Sequence, residues 1–463
     1  MISVYFQEKF QNSSLALLGF GKEGKSTYQV LRRYLPRKTL LIADSNSACP
    51  QEFADQFGED PLVEFCCGQN CLDALQNVDY IIKSPGVSLK TLGDTISSDR
   101  IISQTSIFLD LFRSQVIGIT GTKGKSTTTS LLYSILKEAG LPVVMGGNIG
   151  IPPLELIDRM DAQTLVVFEM SSHQLETLTV SPAVAILLNI FQEHLDHYNS
   201  YRDYQLAKYN IALWQQPGDY FIYNATNPVV ASLVEELGCK STRLAVHGIS
   251  DEGFGARCLQ EHMHLDMGSQ SFVIENLCSN RKLPGDHNIT NILAASAAAF
   301  LKGAPGPAIA SAVASFSGLP HRLEFVGKRG GALFYNDSIS TIPESTIEAL
   351  RTFPHVNTLL LGGYDRGVDY NVLVEYLWAH PLSCVIFMGK AGQRMMELYE
   401  AGKQATSGNH FYFADFESAV QKAFEATPEG GLCLLSPAAA SYDMFRNFEH
   451  RGEKFRQMVL ENS

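Results

Sequence analysis

No apolar run in the chain reaches the roughly 18 residues that cross a bilayer, and its start, MISVYFQEKFQNSS, has neither a basic n-region nor an apolar h-region. Both lacks predict a cytoplasmic protein with no membrane partner. Positive charge is short as well: 36 Lys and Arg against 48 Asp and Glu leave a net charge of -12. Nucleic acid or an anionic membrane calls for a basic face, so neither is the expected partner. An anionic substrate must therefore be met locally, by backbone amides and a few placed cations. The nine cysteines show no paired metal spacing, and no His or second Cys pair follows Cys66, Cys67 and Cys71. Reduced thiols in an intracellular enzyme are expected. Internal repeats and low-complexity tracts are missing too.

What the chain does have is alternation. At 463 residues it is long enough for about three domains, and apolar strand-like runs alternate with helical stretches throughout. SLALLG and KTLLIAD flank a Gly-rich turn and a helical segment, a βαβ unit, and VDYIIKSPGV continues it. QVIGIT restarts the pattern before a second glycine loop; TLVVFEMSS and AVAILLNI then read as parallel strands covered on both faces. ALFYNDS, VNTLLLGG, SCVIFMGKAG and GLCLLSPAAAS form a third series. The expected fold is α/β in three domains. A Rossmann-like N-terminal domain spans 1–103, a P-loop ATPase-like central domain 104–318, and a Rossmann-like C-terminal domain 319–463.

Two stretches carry Gly-Lys-Ser. GFGKEGKST, from Gly19, satisfies the strict phosphate-loop template; GITGTKGKSTTT, from Gly118, has Ile119 where the outer glycine belongs. A triphosphate site also needs a hydroxyl for Mg²⁺ and an acid on a neighbouring strand. Only the second stretch has the set, with Lys125 for the phosphates, Ser126 for the metal, Glu169 at a strand end and His194 as a further ligand. The first stretch overlaps Gly19-x-Gly21-x-x-Gly24 with Asp44 twenty residues on, so it reads as a cradle for the diphosphate of a nucleotide-linked substrate. The bland alternative is a tight turn.

With those residues in hand, the chain resembles the Mur ligases, ATP-dependent amide-forming enzymes that build the peptide stem of peptidoglycan, and within them the glutamate-adding branch. GITGTKGKSTTT, GGNIG, FEMSSHQLE, LNIFQEHLDHY, GDHNITNILAA, GLPHRLE, NDSISTIPEST, LLLGGYDRG and LLSPAAASYDMFRNFEHRGEKF carry the likeness over nearly the whole length. The resemblance implies that Gly21, Gly24, Asp44 and Ser45 face the UDP of UDP-N-acetylmuramoyl-L-alanine, with Asn148 and His194 nearer its sugar and peptide end. Gly121, Thr122, Lys123, Gly124, Lys125, Ser126 and Thr127 would take the ATP phosphates. Asn291, Arg322 and Asp337 would contact the adenine, phosphate and ribose parts of ATP. Two Mg²⁺ ions would be held by Ser126, Glu169, His194 and Lys208, the last being the lysine that the family carbamylates. Lys125, Glu169, His194 and Lys208 would be catalytic, and the protein a monomer.

The acceptor pocket departs from the family. Thr341, Ser441 and Phe448 match its contacts, but Ile339 stands where a lysine is usual, and Arg366 replaces a second lysine. That departure leans the acceptor toward L-glutamate, which a separate epimerase would invert, over D-glutamate. Other readings are a non-catalytic ligase homologue and an NAD-dependent oxidoreductase, which would leave Lys125, Glu169 and Lys208 idle. His173 and His197 flank the motifs with no role.

Overall fold

The computed structural model describes residues 2–69, 71–93, 96–148, 151–193, 197–267, 270–283, 285–353, 355–402 and 409–461. The chain divides into two compact units, Met1–Phe316 and Ser317–Ser463.

The first unit holds two sheets. Strands β1 (Leu15–Leu18), β2 (Leu40–Asp44), β3 (Val63–Cys67), β4 (Tyr80–Lys83) and β5 (Ile101–Ile102) run parallel in the order β3-β2-β1-β4-β5. All four residues of LALL in β1 are buried, as expected where helices cover both faces. The strand order reverses at β1, with Leu15 opposite Leu40 on one side and Tyr80 on the other. A crevice at the carboxyl ends is the consequence. The helix Lys22–Tyr34 packs Tyr28, Val30 and Leu31 onto this sheet.

The second sheet joins β6 (Val116–Thr120), β7 (Val143–Gly147), β8 (Leu165–Glu169), β9 (Val184–Leu187), β10 (Tyr220–Asn224), β11 (Thr242–Ile249), β12 (Ala256–Leu259), β13 (His262–Met267) and β14 (Gln270–Ile274), in the order β14-β13-β12-β11-β10-β9-β6-β8-β7. It is parallel from β7 to β12 and antiparallel from there to β14. Sequence alternation announces the centre of the parallel part, where β6, β8 and β9 are almost wholly buried. The antiparallel end carries only half-buried strands and a weaker signal. Phe108, on the helix Gln104–Phe112 that links the sheets, meets Phe168 at 5.6 Å between ring centroids. One apolar core therefore runs from Leu17 and Ile42 to Leu187 and Phe221.

In the second unit β15 (Glu324–Arg329), β16 (Ala332–Asn336), β17 (Val356–Gly362), β18 (Cys384–Met388), β19 (Asn409–Phe413) and β20 (Leu432–Leu435) lie in the order β15-β16-β20-β17-β18-β19, parallel except for β15 against β16. Among the described residues no helix is long and apolar enough to cross a membrane.

Candidate active site

The second Gly-Lys-Ser begins a helix. Gly124 caps Lys125–Glu138 at φ +83, a left-handed conformation that suits glycine, and a Cβ there would come 2.6 Å from Asn291 Oδ1. The amides of the first helical turn thus lie at its positive end, the arrangement that binds phosphate. Neighbouring groups pin the loop. Thr122 N donates to Asn189 O at 2.8 Å, Lys123 N to Asn189 Oδ1 at 2.8 Å, and Thr122 Oγ1 lies 2.8 Å from Tyr204 OH. Lys125 Nζ folds back to Gly121 O at 3.0 Å and Thr122 O at 3.1 Å.

Lys208, on the helix Tyr201–Leu213, reaches the same carbonyl: its Nζ donates to Gly121 O at 2.8 Å, in a side chain that is almost wholly buried. Burial first, and the charge of Lys125 second, hold the Lys208 amine well below the ordinary lysine value, while Glu193 and Glu169 oppose them. Glu169 ends β8 next to β6, with Ile119 opposite it in register. Asn148 Nδ2 donates to its Oε1 at 2.8 Å, whereas its Oε2 is buried with no hydrogen-bond partner. A buried carboxylate oxygen left open is the chemistry a divalent cation requires. Ser126 is half-buried and Thr127 buried in the first helical turn. The fold thus brings together Gly121 to Thr127, Asn148, Glu169, Lys208 and Asn291. His194 lies outside the described residues.

The first Gly-Lys-Ser is placed differently. Its helix starts at Lys22, with Gly21 as cap, so Gly24, Lys25 and Ser26 lie inside the helix and Lys25 N donates to Gly21 O at 2.9 Å. A Cβ on Gly24 would land on the Gly19 carbonyl oxygen, so glycine there serves close packing of helix on turn. Asp44 accepts from Phe20 N at 2.6 Å and Asn46 N at 2.7 Å, which ties the turn to the end of β2, beside exposed Ser45. Ser84 Oγ donates to Gly19 O at 2.7 Å. Gly21, Asp44 and Ser45 thus meet at the turn, whereas Gly24 is buried beneath it.

In the second unit Arg322 sits between His321 and Leu323, both at positive φ (64° and 46°), a strained turn held by Asn336 Nδ2 at 2.9 Å from His321 Nδ1. Asp337 is buried and accepts from Ser436 Oγ at 2.7 Å and Leu323 N at 3.3 Å. Burial pushes its carboxyl up to about 6, against the Ser340 and Ser436 hydrogen bonds and the charge of Arg322. Arg366 Nη2 donates to Thr341 O at 3.3 Å, Ser441 is buried, and Phe448 begins the last helix and sets its ring against His321. Half-buried Ile339 donates its N–H to His321 O at 3.1 Å.

Sequence reasoning missed Arg451. Its buried guanidinium donates to Ser338 O (2.9 Å), Ala439 O (3.1 Å), Ala440 O (3.2 Å) and Gly362 O (3.5 Å), gathering the loops that bear Thr341, Arg366 and Ser441. Burial pulls it down to about 9. Lys83, Glu176 and Tyr204 were missed likewise; each acts through a partner far away in sequence. All nine cysteines are free thiols.

The profile of the Mur ligase middle domain matches residues 119–299. The UDP-N-acetylmuramoylalanine--D-glutamate ligase of Symbiobacterium thermophilum is 34% identical, with 99% of each chain covered. The enzyme of the same name from Ruminiclostridium cellulolyticum is 32% identical, with 98% of each covered. The solved UDP-N-acetylmuramate-alanine ligase MurC of Thermotoga maritima aligns with a TM-score of 0.55 at 16% identity, over 98% of this chain and 100% of that one. That likeness supports the expected three-domain α/β fold. Identity at this level, sustained from end to end and including the loop that starts at Gly121, means that the chain belongs to the Mur ligase family and is an amide-forming ligase.

Proposed function

We propose that the protein joins glutamate to the L-alanine carboxylate of UDP-N-acetylmuramoyl-L-alanine at the expense of ATP, in the cytoplasm and as a monomer, for peptidoglycan synthesis. The observation that carries the reading is the convergence of Lys125, Lys208 and the open Glu169 Oε2 around one helix-capping phosphate loop. Residues 1–103 take the UDP part through Gly21, Gly24, Asp44 and Ser45. Residues 104–318 take ATP, and 319–463 take the amino acid.

The substrate carboxylate attacks the γ-phosphate, which leaves ADP and an acyl phosphate; the acceptor amine then displaces phosphate through a tetrahedral intermediate. Lys125 and the loop amides meet the charge on the transferring phosphoryl group. Ser126, Glu169, His194 and carbamylated Lys208 would hold two Mg²⁺ ions, which supply Lewis-acid stabilisation of that charge. Carbamylation joins the neutral Lys208 amine to CO₂ and releases a proton, and the burial of this amine supports it. Asn148 orients Glu169 and the substrate's peptide end. Asn291, Arg322 and Asp337 contact the nucleotide.

The acceptor is read as L-glutamate, with an epimerase acting on the product, because Ile339 offers no cation to the acceptor carboxylate and Arg366 is exposed beside Thr341. D-glutamate is the second reading, favoured by the names of the relatives. Phosphate release with ATP, Mg²⁺ and UDP-N-acetylmuramoyl-L-alanine, with each enantiomer in turn, tests both. Turnover with L-glutamate alone supports the first reading, turnover with D-glutamate alone the second, and turnover with neither overturns the glutamate-adding assignment.

A further inference from the structure

Three side chains outside the assigned machinery meet between the two sheets of the first unit. Lys83 ends β4, Glu176 follows the short helix Ser172–Leu175, and His197 lies just before the helix Tyr201–Leu213. Lys83 Nζ lies 2.7 Å from Glu176 Oε1, with the side chains only 1% and 4% exposed. His197 Nε2 lies 3.1 Å from Glu176 Oε2. The Lys83 ammonium also donates to Val87 O at 2.8 Å and Ser84 O at 3.3 Å, which wraps the loop after β4 around one charge. Ser88 Oγ donates to His197 O at 2.8 Å, and His173 stacks on the His197 ring at 3.9 Å. Asn210, two residues past Lys208, donates to Leu175 O at 3.1 Å.

A buried ion pair is a weak way to stabilise a domain contact, since a packed apolar pair of similar volume does as well or better. Charges add direction instead. One carboxylate faces two fixed partners, and each partner adjoins a different ligand-facing loop. Ser84 braces the Gly19 turn of the nucleotide-substrate crevice. Tyr198, next to His197, sets its ring 5.5 Å from that of Tyr204, whose hydroxyl lies 2.8 Å from Thr122 Oγ1 of the phosphate loop.

We propose that Glu176 is a positioning residue that locks the Ser84–Ser88 loop to His197, ahead of the helix Tyr201–Leu213 that braces the phosphate loop, so that the UDP-linked substrate is held with its carboxylate in line with ATP. The proposal rests on the ligase reading above. Glu176→Gln alone strands the Lys83 charge and is expected to lower Tm. The informative protein is therefore K83Q/E176Q, which keeps the shapes and removes both charges. The expected result is a Tm close to that of the wild type, a KM for UDP-N-acetylmuramoyl-L-alanine raised about tenfold and a KM for ATP within about twofold. A double variant with wild-type Tm and both KM values unchanged overturns the proposal and leaves the pair a purely structural contact; so does an equal rise in both KM values. Calorimetric Kd values for the UDP compound separate the two assignments. A wild-type protein that binds it but releases no phosphate overturns the ligase reading, and the Kd ratio of variant to wild type then decides the clamp. A wild-type protein that does not bind it overturns both.

Discussion

Gly19–Thr27 and Gly118–Thr129 carry the same Gly-Lys-Ser, yet in one the helix starts at Lys22 and in the other at Lys125. Three residues of offset decide what the letters can do. In the second stretch the lysine lies at the helix start, where it folds back over the loop carbonyls. In the first it is already helical, and the glycine before it only lets helix and turn touch. The better match to the motif therefore has the poorer geometry for a triphosphate. The strand-end acids differ in a similar way: Glu169 keeps one buried oxygen open, whereas Asp337 has hydrogen bonds to both oxygens.

The comparison is broken most directly at the two lysines. Lys125→Ala should lower kcat for phosphate release by about 10³, as loss of a phosphate-stabilising cation does, while Lys25→Ala should change KM for ATP by less than about twofold. Equal losses in steady-state kinetics would erase the distinction. The glycines come next. Gly124→Ala must accommodate φ +83 and the nearby Asn291 amide, so KM for ATP should rise about tenfold. Gly24→Ala should instead lower Tm and raise KM for the UDP compound, with ATP little affected.

A third test concerns the acids and is read by thermal unfolding. The folded-state carboxyl of Asp337 is raised to about 6 from 3.8, so between those pH values the folded state binds more proton than the unfolded one. Stability from this group is therefore fully present below about pH 4 and lost as pH rises through 6, by up to about 3 kcal/mol. Asp337→Asn should accordingly raise Tm at pH 7.5, with the difference shrinking as pH falls from about 6 to about 4. A variant less stable than wild type at pH 7.5 would mean that the ionised carboxylate is needed by the fold. The smallest effect is expected at Ile339→Lys, which should shift the L-to-D glutamate ratio of kcat/KM toward D by severalfold; an unchanged ratio would place acceptor choice elsewhere.

Much of the fold was legible because parallel strands covered on both faces must be apolar along their whole length. VIGIT, LVVFE, VAIL and CVIFM announce themselves that way. The half-exposed strands of the antiparallel end from β12 to β14 carry no such run. Candidate ligand residues near Gly124, Asp44 and Glu169 were legible because each stands at a strand end or helix start. Arg451 was not, since its partners are backbone carbonyls of loops 11 to 113 residues away, and a carbonyl leaves no letter in the sequence. Lys83 and Glu176 were hidden for a related reason: a lysine in a strand and a glutamate after a helix look like ordinary surface charges until packing removes them from water.

By itself the sequence determined the alternation of strands and helices, the absence of a membrane-crossing run, and two glycine turns able to receive anions, because periodicity and turn chemistry act within a few residues. Only the tertiary structure decided which turn holds its lysine at a helix start, which acid keeps an open oxygen, and that Lys208 and Lys125 meet on one carbonyl. Those outcomes depend on burial and on partners far apart in the chain, and neither can be read from local pattern.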